Sequence, residues 1–262
     1  MKITVLCENT TIDPALTAEH GLSIFIETAD RRILFDMGQT NAFARNAEKL
    51  GVDLADVDFA VLSHGHYAHG GGLGEFLRIN KKAHVYVSSQ AFGDHFNGSE
   101  KYIGLDKNLQ SSGRLIPISD HANISENTEI LTAAPDRLIR PIEPFGLTIR
   151  RGGTLYNEDF RHEQFLLIRE NQKSYLFSGC AHTGVVNLTE VFSPDVFIGG
   201  FHFSKLDPVK DHMRLEEDAE RLLSSGCRYY TCHCTGSEQF DVMKRIMGSR
   251  LSAVYTGFSG II

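Results

Sequence analysis

No stretch of this chain approaches the roughly twenty consecutive apolar residues that a membrane span needs. The opening Met1-Lys2-Ile3-Thr4-Val5-Leu6 also lacks the apolar segment and cleavage pattern of a secretory leader. It reads as a first β-strand, and the cytoplasm is the expected location. Cysteine is sparse and odd in number: five in 262 residues, two of them in Cys232-His233-Cys234. That spacing cannot close a comfortable disulfide, so a secreted disulfide framework is excluded. Positive charge is short as well. Against 33 Asp and Glu stand 26 Lys and Arg, for a formal net charge of −7, which argues against a nucleic-acid partner. Linkers and low-complexity segments are missing, so a single domain over residues 1–262 is expected. The run Gly70-Gly71-Gly72 has neither the Gly-Lys-Ser/Thr ending of a phosphate loop nor the spacing of a dinucleotide fingerprint. A phosphate at the N-terminus of a helix beginning near Gly72 stays compatible with it.

What is present is ordinary globular material, 42% hydrophobic and 23% charged, in which strand-like and helix-like runs alternate. Ile3 to Leu6, Leu22 to Glu27 and Arg32 to Phe35 read as strands, the last ending at Asp36-Met37-Gly38. Ala42 to Leu50 reads as a helix with Gly51 beyond its end. Phe59 to Leu62, Ala83 to Val87, Val196 to Ile198, Arg228 to Thr231 and Ala253 to Thr256 read as further strands. Phe165 to Ile168 and Ser174 to Phe177 form a hairpin pair. Helices are expected over Leu73 to Ile79, Pro208 to Leu223 and Phe240 to Met247. The polar stretch Gln90 to Arg114 reads either as a substrate-covering segment or as a surface excursion. Several apolar strands end in glycine- or histidine-bearing turns, the usual place for ligand sites in layered α/β folds.

The densest chemistry is Ser63-His64-Gly65-His66-Tyr67-Ala68-His69, three imidazoles within six residues directly after an apolar strand. Neutral imidazole is a common metal ligand, and the flanking glycines leave room around an ion. The bland alternative is a set of solvated loop histidines.

These residues, with Leu34-Phe35-Asp36-Met37-Gly38, Gly179-Cys180 and His233, give a chain that resembles the metallo-β-lactamase-fold hydrolase superfamily. Glu19-His20-Gly21-Leu22-Ser23, Ser178-Gly179-Cys180-Ala181-His182, Gly199-Gly200-Phe201-His202 and His233-Cys234-Thr235-Gly236 make it most similar to the dihydropterin-ribofuranosyl-aminobenzene-phosphate synthase-like branch. The resemblance implies an α/β (α+β) fold, a four-layer αββα sandwich, holding one or two divalent ions, zinc first and iron or manganese next. The family motif is His-x-His-x-Asp-His, and Ala68 stands at its aspartate. His64 and His66 should then hold a first ion, while the second, served by His69, is absent, weakened or compensated.

By the same resemblance, His162 is a candidate third ligand, with Glu163 its rival and a surface histidine the alternative. Cys180 stands where relatives carry a bridging aspartate; it is a thiolate ligand or a small buried residue. His233 is expected on the second ion, with Cys232 and Cys234 pointing away into the core if the segment stays extended. His182 and His202 are ligands, hydrogen-bond donors, proton carriers or structural histidines, and with Glu163 they are the candidate catalytic groups. Asp36 is expected to orient imidazoles, and His20 to lie near the site. His84, His95, His121 and His212 are set aside as non-ligands, His95 with a substrate contact in view. Cys7 and Cys227 read as core. The expected activity is hydrolysis by a metal-activated water on a small-molecule substrate, anionic or phosphorylated. The alternatives are a pterin-related transferase, with Phe92, Phe96 and Tyr102 against a flat ring, and a non-catalytic metal- or ligand-binding protein.

Overall fold

The computed structural model describes residues 1–262, apart from the side chain of Pro135. Two compact units emerge, one made of Met1–His121, Gly146–Gln164 and Tyr255–Ile262, the other of Ala122–Phe145 and Phe165–Val254.

In the first unit the larger sheet runs, edge to edge, Ser259–Ile261, Lys2–Cys7, Ser23–Glu27, Arg32–Phe35, Phe59–Val61, His84–Ser88 and Leu115–Ile118. The first four pair antiparallel. From Arg32–Phe35 onward the pairing is parallel. Parallel neighbours need crossovers, and the helices Ala42–Lys49 and Leu73–Ile79 lie in the first two. The strands concerned are apolar without alternation, as burial on both faces requires: Ile33, Leu34, Phe35, Ala60 and Val61 are all inaccessible. Inside the helix Ala42–Lys49 the buried amide of Asn46 donates to Leu6 O and Thr17 O and accepts from Thr17 N. This ties the segment after the first strand to the helix without leaving a buried polar group unmet. The helix stops at Gly51, whose φ of +71° suits glycine.

A smaller sheet completes this unit, ordered Thr154–Asn157, Leu147–Arg151, Asp94–Asn97 and Lys101–Tyr102. Part of the Gln90 to Arg114 stretch is therefore sheet. Its ladder partner Leu147–Arg151 is some fifty residues away, so no local pattern announces it. The register sets His95 opposite Ile149.

The second unit carries a sheet ordered Leu251–Ala253, Arg228–Thr231, Val196–Ile198, Lys173–Phe177, Phe165–Glu170, Thr128–Leu131 and Ala122–Ser125. The first four strands are parallel and the rest antiparallel. The hairpin turns at Asn171 and Gln172, both at positive φ, the twist a two-residue turn needs. Phe165, Leu176, Phe197, Phe201, Tyr229 and Met243 form the centre of its core. The helix expected from Pro208 begins at His212 instead. Asp207 Oδ1 accepts from the Val209 and Lys210 amides, holding a turn there. Among the described residues no helix is long and apolar enough to cross a membrane.

Candidate metal centre

The first unit gathers five imidazoles. Asp36 follows one parallel strand and Ser63-His64 follows its neighbour, and the pairing Phe35 to Val61 brings the two strand ends side by side. Asp36 is fully buried with φ +59°, a left-handed conformation that Asp and Asn tolerate better than most residues. Its Oδ1 accepts the Ser63 amide at 2.7 Å. Its Oδ2 accepts the Ser63 hydroxyl at 2.8 Å and His69 Nδ1 at 2.7 Å. A carboxylate only accepts, so the Ser63 proton is committed to Asp36. The hydroxyl must then accept from His64 Nδ1, 2.8 Å away. One carboxylate thereby sets the tautomer of two histidines, placing protons on both Nδ1 atoms and lone pairs on both Nε2 atoms.

His69 sits in the short helix Tyr67–Gly70 with Ala68, which is 5% exposed. The glycines that follow are needed for backbone approach. A Cβ on Gly71 would stand 2.1 Å from Gln39 O, and one on Gly72 2.1 Å from Met37 O. His64 and His66 lie with ring centroids 4.6 Å apart, His64 and His69 4.2 Å. His162 joins them, 5.0 Å from His66. Its Nδ1 accepts the Gly65 amide at 2.8 Å, and burial, followed by the nearby His95 and His66, holds its pKa well below the ordinary histidine range. Glu163 is buried beside it, in the turn before Phe165–Glu170. Gln164 braces the strand end, donating to Leu62 O and Tyr86 O.

His95, set aside in the sequence, is fully buried in this cluster, 4.0 Å ring to ring from His162. Its Nδ1 lies 2.7 Å from Oε2 of the buried Glu158. Sequence reasoning missed both residues. They are 63 positions apart, and nothing local to either signals the other. His84 and His121 are exposed, and His212 sits on its helix against Pro208 O and Glu216. His20 lies exposed ahead of Ser23–Glu27.

In the second unit three neighbouring parallel strands end together, and each end carries a left-handed residue: Ala181, His202 and His233 at φ +53°, +58° and +53°. The ends are bonded to one another through Gly200 N to Gly179 O, Thr231 Oγ1 to Gly199 O and Phe201 N to Thr235 Oγ1. Gly199 permits this, since a Cβ there would stand 1.9 Å from Ser178 O. Such backbone strain is usually held at functional sites. Cys180, His202 and Cys234 present donor atoms within 4.8 Å of one another. Cys234 was expected to point into the core from an extended segment. The segment is instead the 3-10 turn His233–Thr235, and the left-handed His233 re-aims Cys234 so that its thiol approaches Cys180 O at 3.5 Å.

His182 and His202 pack edge to face at 4.2 Å and line an open pocket with Phe145, Arg140 and Arg214. Both guanidiniums are already paired, Arg140 with Glu217 and Asp218 and Arg214 with Glu143. Burial raises the Asp218 carboxyl in spite of Arg140 and Arg214.

The profile of the metallo-beta-lactamase superfamily matches residues 16–211. The chain is 29% identical over 255 residues to the uncharacterized protein MJ0448 of Methanocaldococcus jannaschii, covering 93% of this chain and 94% of that one. It is 26% identical over 247 residues to the same organism's 7,8-dihydropterin-6-methyl-4-(beta-D-ribofuranosyl)-aminobenzene-5'-phosphate synthase, covering 84% and 82%. Among solved structures, Tm1679, a metal-dependent hydrolase of the beta-lactamase superfamily, superposes with a TM-score of 0.82 at 28% identity, over 100% of this chain and 99% of that one. The mixed α/β fold class expected from the resemblance is that of these relatives.

Proposed function

Because the chain belongs to the metallo-beta-lactamase superfamily, we propose that it is a metal-dependent hydrolase whose ion is held in the first unit by His64, His66 and His69. The observation that carries this is Asp36. One buried carboxylate leaves lone pairs on the Nε2 atoms of His64 and His69, the form in which imidazole ligates. Neutral imidazoles suit zinc and iron better than magnesium or calcium. A bound divalent ion would supply Lewis acidity and lower the pKa of a coordinated water from about 16 towards 7.

The chain's own residues do the remainder. Asp36 and Ser63 hold the rings in orientation. The second unit carries candidate ligands of its own, Cys180 and His233, and the strained His202 with its neighbour His182 as candidate proton carriers. Glu163 is a candidate base in the first unit. A small anionic or phosphorylated substrate at the open pocket of the second unit would meet Arg140 and Arg214, exchanging with the carboxylates they now hold. Ala68 can accept no proton, so hydrolysis is slow unless another base, Glu163 in the same unit, replaces it.

The test is loading with Zn²⁺, Mn²⁺ or Fe²⁺ and assay on ester, thioester, lactam and phosphodiester panels, for the wild type and Ala68→Asp. The variant should retain more metal and hydrolyse faster, on the order of 100-fold for a restored general base. Full metal occupancy without turnover in either protein would leave a non-catalytic metal-binding protein. Likeness to the dihydropterin-linked synthase supports a second reading, a transferase on a pterin phosphoester. Turnover of dihydropterin phosphoesters, with no hydrolysis of the panels, would favour it.

A further inference from the structure

Two arginines and one helix end share the open pocket of the second unit, and polar contacts lock them in place. Asp218 is the anchor. Only 2% exposed, it pairs through Oδ1 with Arg140 Nη1 and lies through Oδ2 3.8 Å from Arg214 Nε. One buried carboxylate therefore holds two guanidiniums side by side. Their other partners differ in kind. Arg140 Nη2 meets Glu217, whose side chain is 72% exposed, and Arg214 Nη1 meets Glu143, 39% exposed. Such wet carboxylates release an arginine at little cost.

Asn187 fastens Arg140 to the helix Val185–Phe192. Its Oδ1 accepts the Ile139 and Arg140 amides at 3.1 and 2.9 Å, and its Nδ2 donates to Arg140 O and Thr183 O at 3.0 and 2.6 Å. No side chain caps this helix at Gly184, and its first turn carries no acidic residue. The first-turn amides have no intrahelical acceptor, and Gly184 to Asn187 line the same pocket as the two arginines. On the pocket wall, both ring nitrogens of His202 are buried without a hydrogen-bond partner among the described residues. Buried polar nitrogens are seldom left so. Stability does not account for the charges either, since apolar packing usually matches a buried ion pair.

We infer that this pocket is a subsite for a phosphomonoester group carried by the substrate, with Arg140 and Arg214 as its specificity-determining residues. A carboxylate offers two oxygens in one plane, and a single guanidinium fork satisfies it. A phosphoryl group offers three oxygens in a tetrahedral array and suits two arginines and a helix end together. On binding it replaces Glu143 and Glu217 and leaves the buried Asp218 where it is. The inference rests on the proposed function in one respect, that an anionic substrate enters this pocket. It is therefore tested by binding, without metal and without turnover.

The full-length protein, freed of metal by chelator and dialysed, is titrated calorimetrically with phenylphosphonate, benzoate and inorganic phosphate. Phenylphosphonate has no ester bond to hydrolyse, and no ion is present to coordinate it. Wild type should bind it about tenfold or more tighter than benzoate. Arg140→Lys and Arg214→Lys keep the charge but lose the planar fork, and each should weaken phenylphosphonate about tenfold. Glu143→Gln removes a competitor and should tighten it about two- to fivefold, a gain that misfolding cannot produce. Equal affinity of wild type for phenylphosphonate and benzoate would overturn the inference, as would unchanged affinity in Glu143→Gln and both lysine variants. Inorganic phosphate binding as tightly as phenylphosphonate would overturn it too, marking a site for the free ion. The expected binding pattern without turnover of any ester panel leaves the subsite standing and removes the hydrolase. Turnover without phenylphosphonate binding does the opposite.

Discussion

Replacing Asp36 by asparagine separates orientation from mere packing. The substitution keeps size, and asparagine is as tolerant of φ +59° as aspartate, so the backbone has no reason to move. What changes is the direction of three protons. With its oxygen kept on the Ser63 amide, the new NH₂ replaces Oδ2 and meets two donors, the Ser63 hydroxyl and His69 Nδ1. The hydroxyl turns to accept from the amide and must then donate to His64 Nδ1. His69 must accept as well. Both histidines are driven to the tautomer with the proton on Nε2, where the lone pair is wanted.

Loss of one outer hydrogen-bond partner costs about 10–100-fold in metal affinity. With two ligands turned at once, at least about 100-fold is expected, or about 2.7 kcal/mol. The metal-free protein should suffer less, because every bond can re-form with neutral partners. The difference between charge-assisted and neutral bonds is about 1–2 kcal/mol, or roughly 2–8 °C in Tm for a chain of this size. The assay is zinc affinity by chelator competition together with calorimetry in EDTA. Wild-type zinc affinity alongside the expected fall in metal-free Tm would refute the reasoning, since Asp36 would then be a structural acid that does not govern the ligands.

Two further outcomes test the scaffold. Gly199→Ala puts a Cβ 1.9 Å from Ser178 O at φ +146° and should cost about 3 kcal/mol or more. Gly226→Ala, at φ +77° with open space around it, should cost only about 1–2 kcal/mol; equal losses in urea titrations would show that the approach to Ser178 does not matter. The Cys227 thiol is pushed up to about 12 by burial, against weaker opposing bonds from Tyr229 and Phe197. At pH 8 about one molecule in 10,000 carries the thiolate there, and alkylation mapped by mass spectrometry should occur only as the protein unfolds. Reactivity should rise as pH approaches 12, the sign for a thiol whose pKa is raised; rapid labelling of native protein at pH 8 would contradict it.

Chemistry that is local in the chain was open to reading from residues alone. His64, His66 and His69 fall on one short turn after an apolar run. Gly51 closes a helix whose apolar spacing precedes it. Asp36 at a strand end was expected to orient imidazoles, and it is bonded to His69 directly and to His64 through Ser63. Where a local pattern competed with hydrogen bonds to the side chain of Asp207, it lost, and the helix expected from Pro208 begins at His212.

Long-range pairing decided the rest. His95 faces Glu158 because Asp94–Asn97 pairs with Leu147–Arg151 in a particular register, and a one-residue slip would turn the imidazole to the other face of that sheet. Cys234 meets Cys180 and His202 because three parallel strands end side by side and His233 takes a left-handed turn that no propensity for histidine foretells. The order of amino acids thus determined which residues can bind an ion and which local turns carry them. Tertiary structure alone decided which distant side chains join them, since ladder register and strand order depend on contacts between segments that share no local signal.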